Sequence, residues 1–429
     1  MSPLHTVLIG TLGLHFGLGK KRLATLAALI SGLVHSRTVN LSHLAAHLCG
    51  AACHASKYRR LQRFFQFVRL DQNVAARLVV HMLNLERPKF LALDRTNWKL
   101  GSRDINILML AIVTRRFRVP LLFTLLPHQG SCDMASRIAL MRRYLALFPA
   151  SSIGCLLADR EFIGAQWMDF LNENNIPFAI RVKIDMTITL EDGRTWSLAT
   201  LLRRKRARSV TALLKGRLNG TDGPTREVVC LAAKRLADGE WLIVATNRPD
   251  PKQALNDYRK RWGIECLFGD AKTRGFNIED THITNPDKLA TLIVVIMLAT
   301  TWTYRCATQV MGMKAIPRKS HGRRQKSWFR IGLDTLRDWM INMPKAAADS
   351  WLAKVPRTSF FPSKKPTESC TVESFFTRRA VGSGRSTPPR SGGSTPPGGS
   401  GRHLELAAQP GAACAGRCPW SRTFRCAEA

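Results

Sequence analysis

The sequence predicts an α/β protein: a mixed sheet preceded by a basic helical module, interrupted by a mostly β segment and followed by a low-complexity tail. Three observations carry this. Apolar residues recur at helical spacing up to about residue 85 and then give way to short apolar runs. From about residue 88 those runs alternate with helical stretches in the order strand, strand, strand, helix, strand, helix, strand. Toward the C-terminus Ser, Gly, Pro and Arg take over.

In residues 1–85, Lys21–Leu33 has the helical pattern, Ser36-Arg37-Thr38 breaks it and Leu41–Leu48 resumes it. Lys57-Tyr58-Arg59-Arg60 and Arg63 follow, mixed with the apolar Phe64-Phe65 and Phe67-Val68. Two readings fit this region equally: a small DNA-binding module with Lys57, Arg59 and Arg60 on DNA, or an ordinary bundle with a solvated basic face. Residues 86–184 supply strands at Phe90–Leu93, Ile105–Val113, Leu121–Leu126, Ile153–Ala158 and Phe178–Val182, and helices at Ala135–Leu147 and Ala165–Asn174. Residues 185–248 read as a β-rich insertion, with short strands at Met186–Leu190, Val228–Ala232 and Trp241–Thr246 and the basic run Arg203-Arg204-Lys205-Arg206. In residues 249–345, Pro251 opens a long helix broken near Gly275, and Lys288–Cys306 forms another. Residues 346–429 are expected to be a disordered basic tail, with two Ser-Thr-Pro-Pro repeats inside Ser383–Arg402.

Bulk composition narrows the partners. Lys and Arg number 65 against 30 Asp and Glu, a net charge of +35, which favours polyanions. Hydrophobic residues at 45% exclude a wholly disordered chain. Leu289–Trp302 is the most apolar stretch, but it is shorter than the ~20 residues a bilayer needs and reads as a core helix, so no membrane partner is expected. Val7–Leu18 is interrupted by Gly and His with no Lys or Arg before it, and carries no convincing targeting signal. Eleven cysteines without regular spacing suit reduced cytoplasmic thiols. His47, Cys49, Cys53 and His54 fit no common zinc-binding spacing.

The chemistry lies with acids at strand ends. Phe90–Leu93 stops at Asp94 and Ile153–Ala158 stops at Asp159. In α/β sheets the carboxyl ends of strands are where sites form. Either aspartate alone is more simply a helix cap or turn residue. The third acid comes in a richer setting. Arg261, Glu265 and Lys272 follow Tyr258 at offsets of 3, 7 and 14, so one helix face would carry a phenol, a guanidinium, a carboxylate and an ammonium. The simpler account of Arg261 and Glu265 is an i, i+4 surface ion pair, but Trp262, Ile264, Leu267 and Phe268 around them mark a packed helix. Glu161 and Asp270 read as solvated or N–H-binding neighbours.

The run Tyr258-x2-Arg261-x3-Glu265-x6-Lys272 resembles the signature of bacterial insertion-sequence transposases of the DDE type. Asp94-Arg-Thr-Asn-Trp98 and Asp159-Arg160-Glu161-Phe162 resemble that family's two aspartate motifs. The resemblance spans roughly residues 20 to 345. It implies an RNase H-like core with a β insertion before the glutamate helix, and Asp94, Asp159 and Glu265 as catalytic residues. These would hold two Mg²⁺ ions, with Mn²⁺ as a substitute, ~4 Å apart. It further implies cleavage at transposon ends by water, then attack by the freed 3′-hydroxyl to form a hairpin and to join target DNA. Double-stranded DNA would be the partner, bound by a homodimer at paired ends in the bacterial cytoplasm, on the nucleoid. Tyr258, Arg261, Lys272 and Arg160 would contact the end DNA, and a tryptophan of the insertion would stack on an extruded base. Trp196 is the candidate there, because Trp241 opens an apolar strand and reads as core. Two alternatives stay open: a metal-dependent nuclease on the same core without strand transfer, and an inactive DNA-binding derivative.

Overall fold

In the computed structural model the described residues are 3–48, 50–85, 89–203, 210–220, 222–312 and 314–352. Cys49, most of the 203–206 basic run and nearly all of the expected tail lie outside them.

Five helices come first: α1 (Pro3–His15), α2 (Lys20–Ser36), α3 (Leu41–Ala46), α4 (His54–Phe67) and α5 (Gln72–Met82). Asn40 and Asp71 start α3 and α5 by accepting from the backbone N–H groups of Ser42 and Asn73. The sheet strands and their helices follow: β1 (Lys89–Leu100), β2 (Arg103–Val113), β3 (Arg118–Leu126), α6 (Met134–Leu147), β4 (Ile153–Ala158), α7 (Ala165–Glu173) and β5 (Phe178–Val182). Next are β6 (Thr187–Thr189), β7 (Thr195–Ser197), α8 (Leu198–Leu202), β8 (Val210–Gly220), β9 (Gly223–Pro224), β10 (Val229–Arg235) and β11 (Trp241–Thr246). The chain ends in α9 (Pro251–Tyr258), a 3₁₀ turn at Arg259–Arg261, α10 (Trp262–Ala271), α11 (Pro286–Met311), α12 (Trp328–Asn342) and α13 (Pro344–Leu352).

The strand order is β3-β2-β1-β4-β5-β11-β10-β8-β6-β7, with β9 paired to β8. The first five strands give the mixed sheet expected of an RNase H-like core: β1 is antiparallel to β2 and parallel to β4, β2 is antiparallel to β3, and β4 is parallel to β5. Residues 185–248 are mostly β as expected, and β11 pairs antiparallel with β5, so the core sheet continues into them. Two expectations need correction. The run ending at Asp94 is only the first half of a strand that goes on to Leu100, held by β2 through the pair Leu100↔Arg103. The long helix from Pro251 is split by the 3₁₀ turn. In addition, regular structure runs past residue 345, since α13 reaches Leu352 with Trp351 buried against Trp302.

The helix α11 is the spine of the core. It is longer than the sequence pattern indicated, at 26 residues, and is apolar and long enough to cross a membrane, yet 94% of its most apolar window is buried within the protein. It packs on α2, α5, α12, α13 and β3. Thr301, Thr303 and Thr308 return their hydroxyls to carbonyls four residues back, which satisfies these buried side chains within the helix. Gly332 lets α12 approach closely: a Cβ there would stand 2.0 Å from the Thr303 carbonyl oxygen.

Candidate active site

The pairing of β1 with β4 assembles the first half of the site. Leu93 is in register with Ala158, so Asp94 and Asp159 are next on two parallel neighbours, about 4.8 Å apart by strand spacing. The alternation along β1 puts Asp94 on the side of Thr96 and Trp98, the side where Leu267 and Phe268 of α10 close over the sheet. That helix carries Glu265 in its first turn.

One guanidinium joins all three acids. Arg261, 8% exposed, donates from Nη1 to Asp94 Oδ2 at 3.1 Å and from Nη2 to Glu265 Oε1, and that same Nη2 is 3.7 Å from Asp159 Oδ2. The Tyr258 hydroxyl donates to Asp159 Oδ1 at 3.2 Å. Backbone N–H groups of Arg95 and Arg160 donate to Asp94 Oδ1 and Asp159 Oδ1, each at 2.8 Å. The i, i+4 ion pair of Arg261 and Glu265 is therefore real, and it is one arm of a three-acid cluster.

The electrostatics are those of a site short of positive charge. Burial pushes the Asp94 carboxyl up to about 7, against the pull of Arg261 and the Arg95 N–H, with Glu265 and Asp159 adding to the rise. Burial also raises Glu265, again against Arg261. Burial raises the Tyr258 hydroxyl, so the phenol stays a donor. The neighbouring acids hold Arg261 firmly charged although its burial works the other way. Among the described residues, no three His, Cys, Asp or Glu side chains stand in ready metal-holding geometry; here the guanidinium lies among the acids. Three hard-oxygen carboxylates around a single full positive charge nonetheless fit a divalent cation by donor type and by charge.

Other expected residues are placed elsewhere. Lys272 falls just past the last residue of α10, where the backbone leaves the helix. Its ammonium meets the Asn97 carbonyl at 3.2 Å and Glu279 Oε1 at 2.8 Å, so it leaves the stripe and does not join the acids. Gly275 permits this sharp exit, since a Cβ there would stand 2.0 Å from the Asp270 carbonyl oxygen. Arg160 stands 3.7 Å from Glu240. Trp196, 37% exposed, lies on β7 at the end of the sheet order. Lys57, Arg59 and Arg60 are on α4, and Arg60 donates from Nε to Thr25 Oγ1 at 2.8 Å.

Several groups escaped sequence reasoning. Arg181 on β5 is 4.0 Å from Asp159 Oδ1 and donates to Glu240 Oε1 at 2.6 Å. A charge inside the buried five-residue strand Phe178–Val182 was the available signal. Arg95 donates from Nε to Glu161 Oε1 at 2.8 Å and ties the two aspartate motifs together. Glu161 also accepts from the Cys132 N–H at 3.4 Å, in keeping with its expected role. Asp270 is not solvated: it is 3% exposed and accepts from the Tyr304 hydroxyl at 2.9 Å.

Comparison with known proteins decides the family. The model of the transposase DDE domain matches residues 86–302, just over half of the chain. The chain belongs to the DDE transposase family. DDE transposases generally use divalent metal ions, in keeping with the acid cluster of this transposase. No curated protein matches it in sequence. Among solved structures, the transposase is similar to piggyBac transposase in a cryo-EM synaptic complex with hairpin DNA, at 11% identity over 86% of each chain and a TM-score of 0.39. That likeness is too slight to carry a conclusion.

Proposed function

We propose that this transposase is a cut-and-paste enzyme, and that Asp94, Asp159 and Glu265 are its catalytic residues. Water attacks a phosphodiester at the transposon end, and the freed 3′-hydroxyl then transesterifies, first into a hairpin and later into target DNA. The observation that supports this is the convergence of the three acids, two from neighbouring strands and one from α10, on the Arg261 guanidinium. Asp94, Asp159 and Glu265 would hold two Mg²⁺, or Mn²⁺ in their place, and the bound ions would supply Lewis-acid activation and charge neutralisation at the phosphate.

The chain's own groups have defined tasks. Tyr258 fixes the Asp159 carboxylate through its hydroxyl. Arg261 holds the acids together before DNA arrives, and its fork suits a phosphate oxygen pair once the carboxylates are otherwise compensated. Asp94 has to be ionised to ligate a metal, so a metal ion competes there with the proton that burial favours. Lys272, Arg160, Lys57 and Arg59 contact end-DNA phosphates in this reading, and Trp196 stacks on an extruded base. The enzyme acts on double-stranded DNA as a homodimer at paired ends, in the bacterial cytoplasm.

The test is Glu265→Gln. The variant is expected to bind end DNA within about threefold of the native protein and to lose cleavage by at least a hundredfold, as removal of a transition-state group does. Retained cleavage removes Glu265 from the site. Joining of pre-cut ends to a plasmid separates transposase from nuclease, because only the former makes the joined product.

A further inference from the structure

We propose that Glu240 is a tethered stand-in for a DNA backbone phosphate. In the DNA-free protein its carboxylate fills a two-arginine seat beside Asp159, and a phosphodiester of the end DNA takes that seat by displacing it. The proposal rests on the transposase reading for its ligand and goes beyond it in assigning the seat, its resident acid and the competition between them.

Strand pairing places the seat. Ala158 is in register with Leu93 on β1 and with Ile180 on β5, and Ile180 is opposite Ala245 on β11. One step further along, the row across these four strands is Asp94, Asp159, Arg181 and Val244, so Arg181 continues the line of the two aspartates. Its side chain is 8% exposed and stands 4.0 Å from Asp159 Oδ1. Its Nη2 donates to Glu240 Oε1 at 2.6 Å, and Arg160 Nη1 stands 3.7 Å from the same oxygen. Two guanidiniums therefore close on one carboxylate oxygen next to Asp159.

The acid and the arginine that holds it differ in mobility. Glu240 comes from the turn 236–240 that joins β10 to β11, closed by the Leu236 N–H on the Glu240 carbonyl at 2.8 Å and by Gly239 at φ +87°. Residues 237–240 are exposed, and the Glu240 side chain is 44% exposed, so its carboxylate can swing into water without disturbing the core. Arg181 cannot follow, because it is fixed within the buried strand β5. A nearly buried guanidinium left without its acid is costly, so Glu240 leaves only as another anion arrives. A phosphodiester carries the same single negative charge and offers oxygens that a guanidinium fork grips well. The exchange keeps Arg181 compensated throughout. What separates this pair from an ordinary surface ion pair is that its arginine is buried and shares Asp159, while its acid is the exposed member and sits on a turn.

The experiment measures end-DNA affinity against salt concentration for the full chain, in EDTA so that no strand is cut. Glu240→Gln is compared with the control Asp238→Asn, which removes the same charge from the same turn and keeps the oxygen that accepts from the Glu240 N–H. Glu240→Gln is expected to bind about three- to tenfold more tightly, with a salt dependence steeper by about one ion, and to melt no higher than the native protein. A tighter complex from a fold that is no more stable is a combination that a purely structural ion pair cannot produce. Asp238→Asn should stay within about twofold of the native affinity. The gain of Glu240→Gln should vanish on end DNA in which one particular phosphate is replaced by a neutral methylphosphonate. Four results overturn the proposal: a Glu240→Gln protein that binds no more tightly than the native one, a gain matched by Asp238→Asn, a gain that comes with a higher melting temperature, or a gain that survives neutralisation of every phosphate in turn. Failure of the transposase reading is distinguishable. A chain that shows the gain but neither cuts nor joins DNA with metal refutes that reading and leaves the Glu240 assignment standing. A chain that cuts and joins, with no gain from Glu240→Gln, refutes the Glu240 assignment alone.

Discussion

Asp94→Asn should make the protein less sensitive to alkaline pH while abolishing its chemistry. The Asp94 carboxyl has an ordinary value of 3.8 and is pushed by burial up to about 7 in the fold. The folded state therefore binds this proton more tightly than the unfolded chain does. Its stability contribution is fully present below pH ~4 and is lost as the pH rises through 7, after which it stays flat. A difference of this size corresponds to at most about 4 kcal/mol of stability between the two limits. Asparagine is nearly isosteric and keeps an oxygen for the Arg95 N–H, but it does not titrate. Its lost attraction for Arg261 is felt only where Asp94 would be ionised and is already contained in the folded value of about 7. The slope with pH is thus diagnostic. Thermal melts of both proteins in EDTA from pH 4.5 to 8.5 are expected to show the gap moving in favour of the variant by on the order of 5 °C. Parallel curves would refute the reasoning, because they would mean that Asp94 is no harder to ionise in the fold than in the unfolded chain.

Two further outcomes follow from the same contacts. Millimolar Mg²⁺ should raise the melting temperature at pH 8, do so less at pH 6 where Asp94 must first lose its proton, and have no effect on Asp159→Asn; an equal rise in that variant puts the ion elsewhere. Tyr304→Phe removes the donor to buried Asp270, should cost about 1–3 kcal/mol, and should lower kcat with little change in DNA affinity because α10 carries Glu265; a variant that melts and turns over like the native protein would show that the bond does not hold α10.

The sheet was legible because its strands are buried on both faces and so appear as largely apolar runs, with a charge only at Arg181: Ile153–Ala158, Phe178–Val182 and Trp241–Thr246 were each bounded correctly. The end of β1 was not. Past Asp94 the strand alternates between buried Thr96 and Trp98 and exposed Asn97 and Lys99, and that half-exposed pattern hides beside the apolar run. The continuity of the sheet through β11 was also invisible, since pairing with β5 depends on partners more than fifty residues apart. Of the site, the three acids and two of their companions were readable by spacing. Arg181 and the Asp270–Tyr304 bond were not, because each is defined by a partner supplied by the fold. Lys272 was misplaced for a local reason: helical spacing assumes that the helix persists, and α10 ends one residue too early.

The split in the Pro251 helix bears directly on how the acids are gathered. In an uninterrupted α-helix, successive residues turn by about 100°, so Tyr258 and Arg261 would diverge by about 60° around the axis. Through a 3₁₀ turn each residue advances about 120°, and residues three apart eclipse. Arg259–Arg261 is such a turn. It aligns the Tyr258 hydroxyl with the Arg261 guanidinium, and both then reach Asp159, at 3.2 Å and 3.7 Å. From Arg261 the α-helical step of four residues resumes and sets Glu265 one turn further on, close enough for the same guanidinium to hold it. A departure from ideal helix in a packed segment is uncommon unless something holds it. Here the holding contacts are the carboxylates themselves, two of which belong to adjacent strands of another layer. The geometry of the turn and the convergence of the acids therefore support each other: without Asp94 and Asp159 the turn loses the partners of Arg261, and the turn brings Tyr258 and Arg261, which α-helical spacing already puts on one face, nearer to eclipsed beside Asp159.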